Sequence, residues 1–97
     1  MSTSIIPVKS LPDQRFTIEL DGQDCEIHIY LRYRYLYLDL YVNETPIVQG
    51  AICLNNTEII QFKNRNFNGN LIFIDTQGLD DPYYTELNER WFLVYVQ

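Results

Sequence analysis

The chain has little of what catalysis and metal binding require. Among 97 residues there is one histidine, and the two cysteines are far apart in sequence. His28 lies within a strand-like run, on the face opposite Ile27 and Ile29, with no second histidine to share a metal. Cys25 and Cys53 lack the CxxC spacing of a zinc or redox site, and neither sits beside a histidine or helix start that would activate a thiol. No GxSxG elbow, phosphate-binding glycine loop or pair of catalytic carboxylates occurs. These absences predict a protein that is not an enzyme and has no cofactor and no metal.

Basic residues are also scarce. Seven Lys and Arg stand against thirteen Asp and Glu, a formal charge of −6. That balance repels phosphate backbones and anionic lipid headgroups, and so argues against nucleic-acid specificity and membrane docking. No apolar run reaches membrane-spanning length, and residues 1–10 carry only scattered Ile5, Ile6 and Val8, unlike a signal peptide. The expectation is synthesis in a reducing cytoplasm, with both thiols free. Asn43-Glu44-Thr45 and Asn55-Asn56-Thr57 then read as turns rather than glycosylation sites. With no repeat, linker or low-complexity tract, residues 1–97 are read as one domain.

What the chain does have is aromatic and β-branched residues. Eight tyrosines and five phenylalanines favour strands, where large rings pack on a pleated surface. Turn signals recur about every ten residues. Residues 4–8 suit an edge strand, broken by Pro7 and Pro12. Phe16, Ile18 and Leu20 alternate with Arg15, Thr17 and Glu19, and Asp21-Gly22 follows as a two-residue hairpin turn. Residues 23–42 are too long for one strand, and their apolar positions change parity. Cys25, Ile27, Ile29 and Leu31 are odd, whereas Leu36, Leu38, Leu40 and Val42 are even. A period-two structure needs a turn between them, placed at Arg32, Tyr33 and Arg34.

Residues 46–54 are apolar on both parities, as expected of a strand central to its sheet or covered by a partner, and Gly50 within them indicates a bulge or a close backbone approach. Further strands are predicted at 58–62, 71–75 and 91–96, with a polar loop at 63–70. The last strand, apolar on both faces, is expected to insert next to an early one. A short helical turn is expected near 81–87, capped by Asp81, begun by Pro82 and ended by Asn88 in the left-handed conformation. The fold class is therefore all-β: a single small antiparallel sandwich or barrel of about seven to eight strands.

Asp75, Asp80 and Asp81 with Gly78 resemble a calcium loop but lack its DxDxDG spacing and terminal glutamate, and so read as a capping loop. The tyrosines carry more. Tyr35, Tyr37 and Tyr41 alternate with the core leucines and project outward together with Asp39. Rings beside charges are what protein interfaces enrich; equally, they could cover a half-exposed sheet face or line the inside of a sandwich. Arg32, Tyr33, Arg34, Tyr35, Tyr37 and Tyr41 form the candidate protein interface, with Arg32, Arg34 and Arg90 as rim contacts or solubilising charges.

The order of short motifs resembles the small baseplate plug proteins of contractile-tailed phages, of the cyanophage type. The matching pieces are Ile6-Pro7-Val8; Gln14, Phe16 and Leu20 leading into Asp21-Gly22-Gln23; Tyr30-Leu31-Arg32; Leu38-Asp39-Leu40; and Pro46-Ile47-Val48-Gln49-Gly50. They continue with Gly69-Asn70-Leu71, Asp75 with Gly78, Asp81-Pro82, Leu87, Arg90 and Leu93-Val94-Tyr95. Asn88 stands where glycine is expected after Leu87, and Tyr37 where tryptophan is more usual. The resemblance implies a structural virion protein of the tail baseplate, made in the host cytoplasm, that helps to close the tail-tube lumen before contraction. Its implied partners are hub, tube, spike or wedge proteins and copies of itself. The competing expectation is a soluble β-barrel adaptor, or a carbohydrate- or peptide-binding module with a pocket rimmed by aromatics.

Overall fold

Three tight turns organise the first half of the chain. Asp21 and Gly22 both have positive φ, as do Asn43 and Glu44, and Tyr33 takes φ +60. Positive φ at these positions matches the right-handed twist of the strands that a two-residue turn joins. The turns connect β2 (Asp13–Leu20), β3 (Gln23–Arg32), β4 (Tyr35–Val42) and β5 (Thr45–Ile52) into an antiparallel meander in that order. The parity change expected around Tyr33 is present: Arg32 pairs with Tyr35, and Ile27 faces Leu40. The computed structural model describes residues 3–61 and 66–97.

The second sheet is built from the two ends of the sequence. β1 (Thr3–Ile6) and β6 (Asn70–Asp75) flank β7 (Trp91–Val96), all antiparallel. The closing strand thus lies next to the first. Ile6, Leu71, Phe73, Leu93 and Tyr95 of this sheet meet Ile27, Ile29, Leu36, Leu38 and Leu40 of the other in one apolar core. The fold is all-β: the described residues form two antiparallel sheets of three and four strands, and one 3-10 turn (Tyr84–Glu86). Among the described residues no helix is long and apolar enough to cross a membrane.

Four local expectations are corrected. Among the described residues β5 is an edge strand paired only with β4, not a strand central to its sheet. Its apolar residues fall on both parities because the register shifts: Leu40 pairs with Val48 but Leu38 pairs with Ala51, so Gln49 and Gly50 bulge opposite Asp39. The bulge turns both Val48 and Ala51 toward the core. Gly50 adopts φ +68 there and donates its N–H to Asp39 Oδ1.

The strand expected at 58–62 is reduced to a single bridge, Glu58 with Ile72. Consecutive Ile59 and Ile60 are both buried, which an alternating strand does not allow, and the Asn70 side chain satisfies the Ile60 backbone on both its N–H and C=O. Phe62 and residues 63–65 of the adjoining polar segment lie outside the described residues. The 3-10 turn has Tyr83 rather than Asp81 before it and no side-chain cap. Asp81 instead accepts the Asn55 N–H, while Asn88 takes φ +66 as expected. Arg90, expected at a solvated rim, is instead drawn into the loop after β6 by Asp75.

Candidate assembly surfaces

Strand register places the outward residues of the four-stranded sheet in rows. Asp13, Tyr30, Tyr37 and Ile52 form one; Arg15, His28 and Asp39 the next; Thr17, Glu26, Tyr41 and Pro46 a third. Tyr35, Tyr37 and Tyr41 are half-exposed on this face, alternating with buried Leu36, Leu38 and Leu40. They are therefore outside the sandwich and not part of its core. Arg32 and Arg34 are exposed at the β3–β4 end, and Tyr33 at the turn is 95% exposed. The six predicted interface residues thus share one hairpin, three on its face and three at its tip.

The centre of that face is a satisfied polar cluster. His28 Nε2 lies 2.9 Å from Asp13 Oδ1, and its Nδ1 lies 3.4 Å from the Arg15 guanidinium and 3.6 Å from Asp39 Oδ2. Arg15 also donates to Glu26 at 2.8 Å. Tyr30 donates its hydroxyl to Asp39 at 3.2 Å. Burial, with Asp39 beside it, raises the Tyr30 phenol above its ordinary pKa. The rings of His28, Tyr30 and Tyr37 follow one another at 4.7 and 6.1 Å. Tyr30 and His28 complete the tyrosine row; their outward parity in β3 was the signal for them.

Catalytic chemistry finds no foothold in the thiols. Burial pushes Cys25 up to about 11 and Cys53 well above its ordinary value, so both are protonated at neutral pH. A concavity of about 630 Å³ opens at the hairpin end of the four-stranded sheet. Glu19, Asp24, Glu26 and Glu44 line it, with Tyr41 as its one ring. It does not have the aromatic rim expected of a sugar- or peptide-binding module.

The acidic loop after β6 is closed by an arginine, not arranged for a cation. Arg90 Nε and Nη2 donate to the two Asp75 oxygens at 2.8 Å each, and Nη2 reaches Asp80 at 2.9 Å. Asp75 also accepts the N–H groups of Gln77 and Asp80. Arg90, followed by these backbone donors, holds the Asp75 carboxyl well below the usual carboxylate range, and Asp75 in turn raises Arg90. The guanidinium also lies 4.4 Å over the Trp91 ring. Arg90 is therefore a structural clamp and not a rim contact. Among the described residues no group of three His, Cys, Asp or Glu side chains is placed to hold a metal. The loop carries Leu79 at its tip, 91% exposed.

A second surface was not anticipated. On the outside of the three-stranded sheet, Ile5 pairs with Val94 and Val94 with Ile72; Phe92 pairs with Ile74; Thr3 and Asn70 flank Val96. Six of these eight positions are apolar and none is charged. Val94 is buried yet does not belong to the central core. Two sequence signals pointed here: apolar residues on both faces of 91–96, and the consecutive Leu71-Ile72-Phe73-Ile74.

The free sheet edges are poorly suited to strand addition. β1 is four residues long, β2 exposes Asp13, Arg15, Thr17 and Glu19, and β5 carries Pro46 and the bulge. Residues 55–60 cover β6, where Asn56 and Ile59 donate to Phe73 and Leu71. The two outer faces and the loop tips are better suited than these edges to contact with another chain.

No curated protein matches the chain. A family model described as "Cyanophage baseplate Pam3 plug gp18" matches residues 3–97. Nearly the whole sandwich lies inside that match, including both outer faces and the Asp75–Arg90 clamp. The chain belongs to the cyanophage baseplate plug family.

Proposed function

We propose that the protein is a structural part of a phage tail baseplate, a plug that helps to close the tube lumen until the tail contracts. The observation that carries this reading is the family match across residues 3–97. The physical character of the molecule supports it. A plug needs a stiff scaffold and surfaces for neighbours, not a reactive group. Two sheets around one core supply the first, and both thiols are held in unreactive form. A net charge of −6 keeps the protein from adhering to DNA passing through a narrow tube.

In this reading Tyr35, Tyr37 and Tyr41, with Arg32, Tyr33 and Arg34 at the hairpin tip, contact hub, tube, spike or wedge chains and copies of the protein itself. Half-exposed rings offer large contact area at small entropy cost. The test is complementation of a phage lacking the gene with the double variant Tyr37→Ala, Tyr41→Ala. The isolated variant should fold, and particles should carry fewer copies of it than of the wild-type chain. Normal incorporation would refute the tyrosine assignment. Loss of folding would mean that the rings belong to the scaffold. For the plug role, particles without the protein should release DNA early; full retention would count against lumen closure.

A further inference from the structure

We infer that the outer face of the β1–β7–β6 sheet is the seat of a second baseplate chain, one that is not a copy of this protein and that presents an apolar patch rimmed by lysine or arginine. The inference rests on the baseplate reading above and adds to it a surface and a class of partner.

The face differs in kind from the tyrosine face. There, Asp13, Arg15, His28, Tyr30 and Asp39 satisfy one another. Here the outward residues are Ile5, Ile72, Ile74, Phe92, Val94 and Val96, with Thr3 and Asn70 at one end. Ile5 is 61% and Ile74 38% exposed, on either side of buried Val94. A contiguous apolar stripe across three strands, without a charge, is unusual on a chain whose formal charge is −6. Alternation in these strands would have favoured polar residues had water been the permanent neighbour.

Charge selects the occupant. Two copies stacked face to face would bring two net charges of −6 together with no ion pair across the contact. Pairing through the short β1 edge would extend the apolar face rather than cover it. The connection leaving the sheet at Asp75 and returning at Trp91 carries Asp80, Asp81, Glu86 and Glu89, with Arg90 already engaged by Asp75 and Asp80. A partner whose apolar patch has a basic rim meets both features at once; a second copy meets neither.

The test uses the full chain, alone and in particles. Alone at tens of micromolar, the wild-type protein should be a monomer by sedimentation. Ile5→Asp and Ile74→Asp should each fold alone yet be incorporated at least tenfold less in the complemented phage. Ile5→Thr, which keeps the β-branched shape, should fold even if the charged variants do not, and should show a smaller defect in the same direction. A wild-type dimer that Ile5→Asp dissolves would overturn the choice of partner. Normal incorporation of both Asp variants, or failure of Ile5→Thr to fold, would overturn the interface. Wild-type protein missing from purified particles would instead overturn the baseplate reading itself.

Discussion

Tyr33 is held where a tyrosine is costly. It takes φ +60 at the tip of the β3–β4 hairpin and is 95% exposed, so packing of its ring does not offset that conformation. A left-handed backbone costs a non-glycine residue roughly 1–2 kcal/mol. Glycine removes that cost but raises the entropy of the unfolded chain by roughly 0.5–1 kcal/mol. Tyr33→Gly should therefore stabilise the free protein by about 0.5–1 kcal/mol, which for a domain of this size corresponds to about 2–8 °C in Tm. Tyr33→Asn, which tolerates the same backbone, should fall between them. Thermal and urea denaturation measure the change. If Tyr33 is retained for contact, Tyr33→Gly should also lower the number of copies per particle while raising Tm. A variant less stable than wild type would refute the strain argument, and a more stable one incorporated normally would remove Tyr33 from the interface.

Other consequences follow from burial and charge. Leu93→Ala, at a core position with no solvent exposure, should cost about 2–5 kcal/mol in urea titrations, whereas Val94→Ala should cost roughly 1 kcal/mol because water can reach the gap; equal costs would put Val94 in the core. Asp75 is more acidic folded than unfolded, so its contribution is complete above the ordinary carboxylate pKa of about 4 and is lost as pH falls below it. Asp75→Asn should lower Tm at pH 7 and flatten the decline in stability between about pH 5 and 2; an unchanged profile would mean that the Arg90 clamp is idle. The Cys25 and Cys53 thiols should react with a disulfide reagent at pH 8 at least a hundredfold faster in denaturant than in the native state, and comparable rates would contradict their burial. Leu79→Ser should change stability by less than about 0.5 kcal/mol, since the side chain is 91% exposed.

Much of the scaffold was legible because it rests on local rules. Period-two alternation marked β2, β3 and β4, the parity change located the turn at Tyr33, and positive φ suited Asp21, Gly22 and Asn88. What failed depended on distant partners. Two-sided apolarity in residues 46–54 suits a central strand or one covered by a partner, and although Gly50 hints at a bulge, only the pairing with β4 shows that the bulge turns both parities toward the core. The role of Arg90 depends on Asp75, fifteen residues earlier and adjacent only once β6 meets β7. Asp81 looked like a helix cap because Pro82 followed it, but the Asn55 N–H from the crossover between the sheets takes its carboxylate.

The candidate surfaces divide in the same way. The tyrosine row was visible within one hairpin, since β3 and β4 are neighbours in sequence. The apolar face on the other side draws residues from positions 3–6, 70–75 and 91–96, so the contiguity of Ile5, Val94 and Ile72 appears only after folding. Apolar residues on both sides of the last strand suit a central position in the sheet equally well, so the sequence alone does not mark a surface there. Their excess over what the core needs is what makes that face a surface for another chain.

The most direct test is electron cryomicroscopy of intact, uncontracted tails from the phage that encodes this chain. A seven-stranded sandwich should appear in the central baseplate beside the tube axis, with the Ile5–Val94–Ile72 face against a different protein and the tyrosine face also in contact. Its absence from the baseplate, or its presence there with both outer faces in open solvent, would contradict the account.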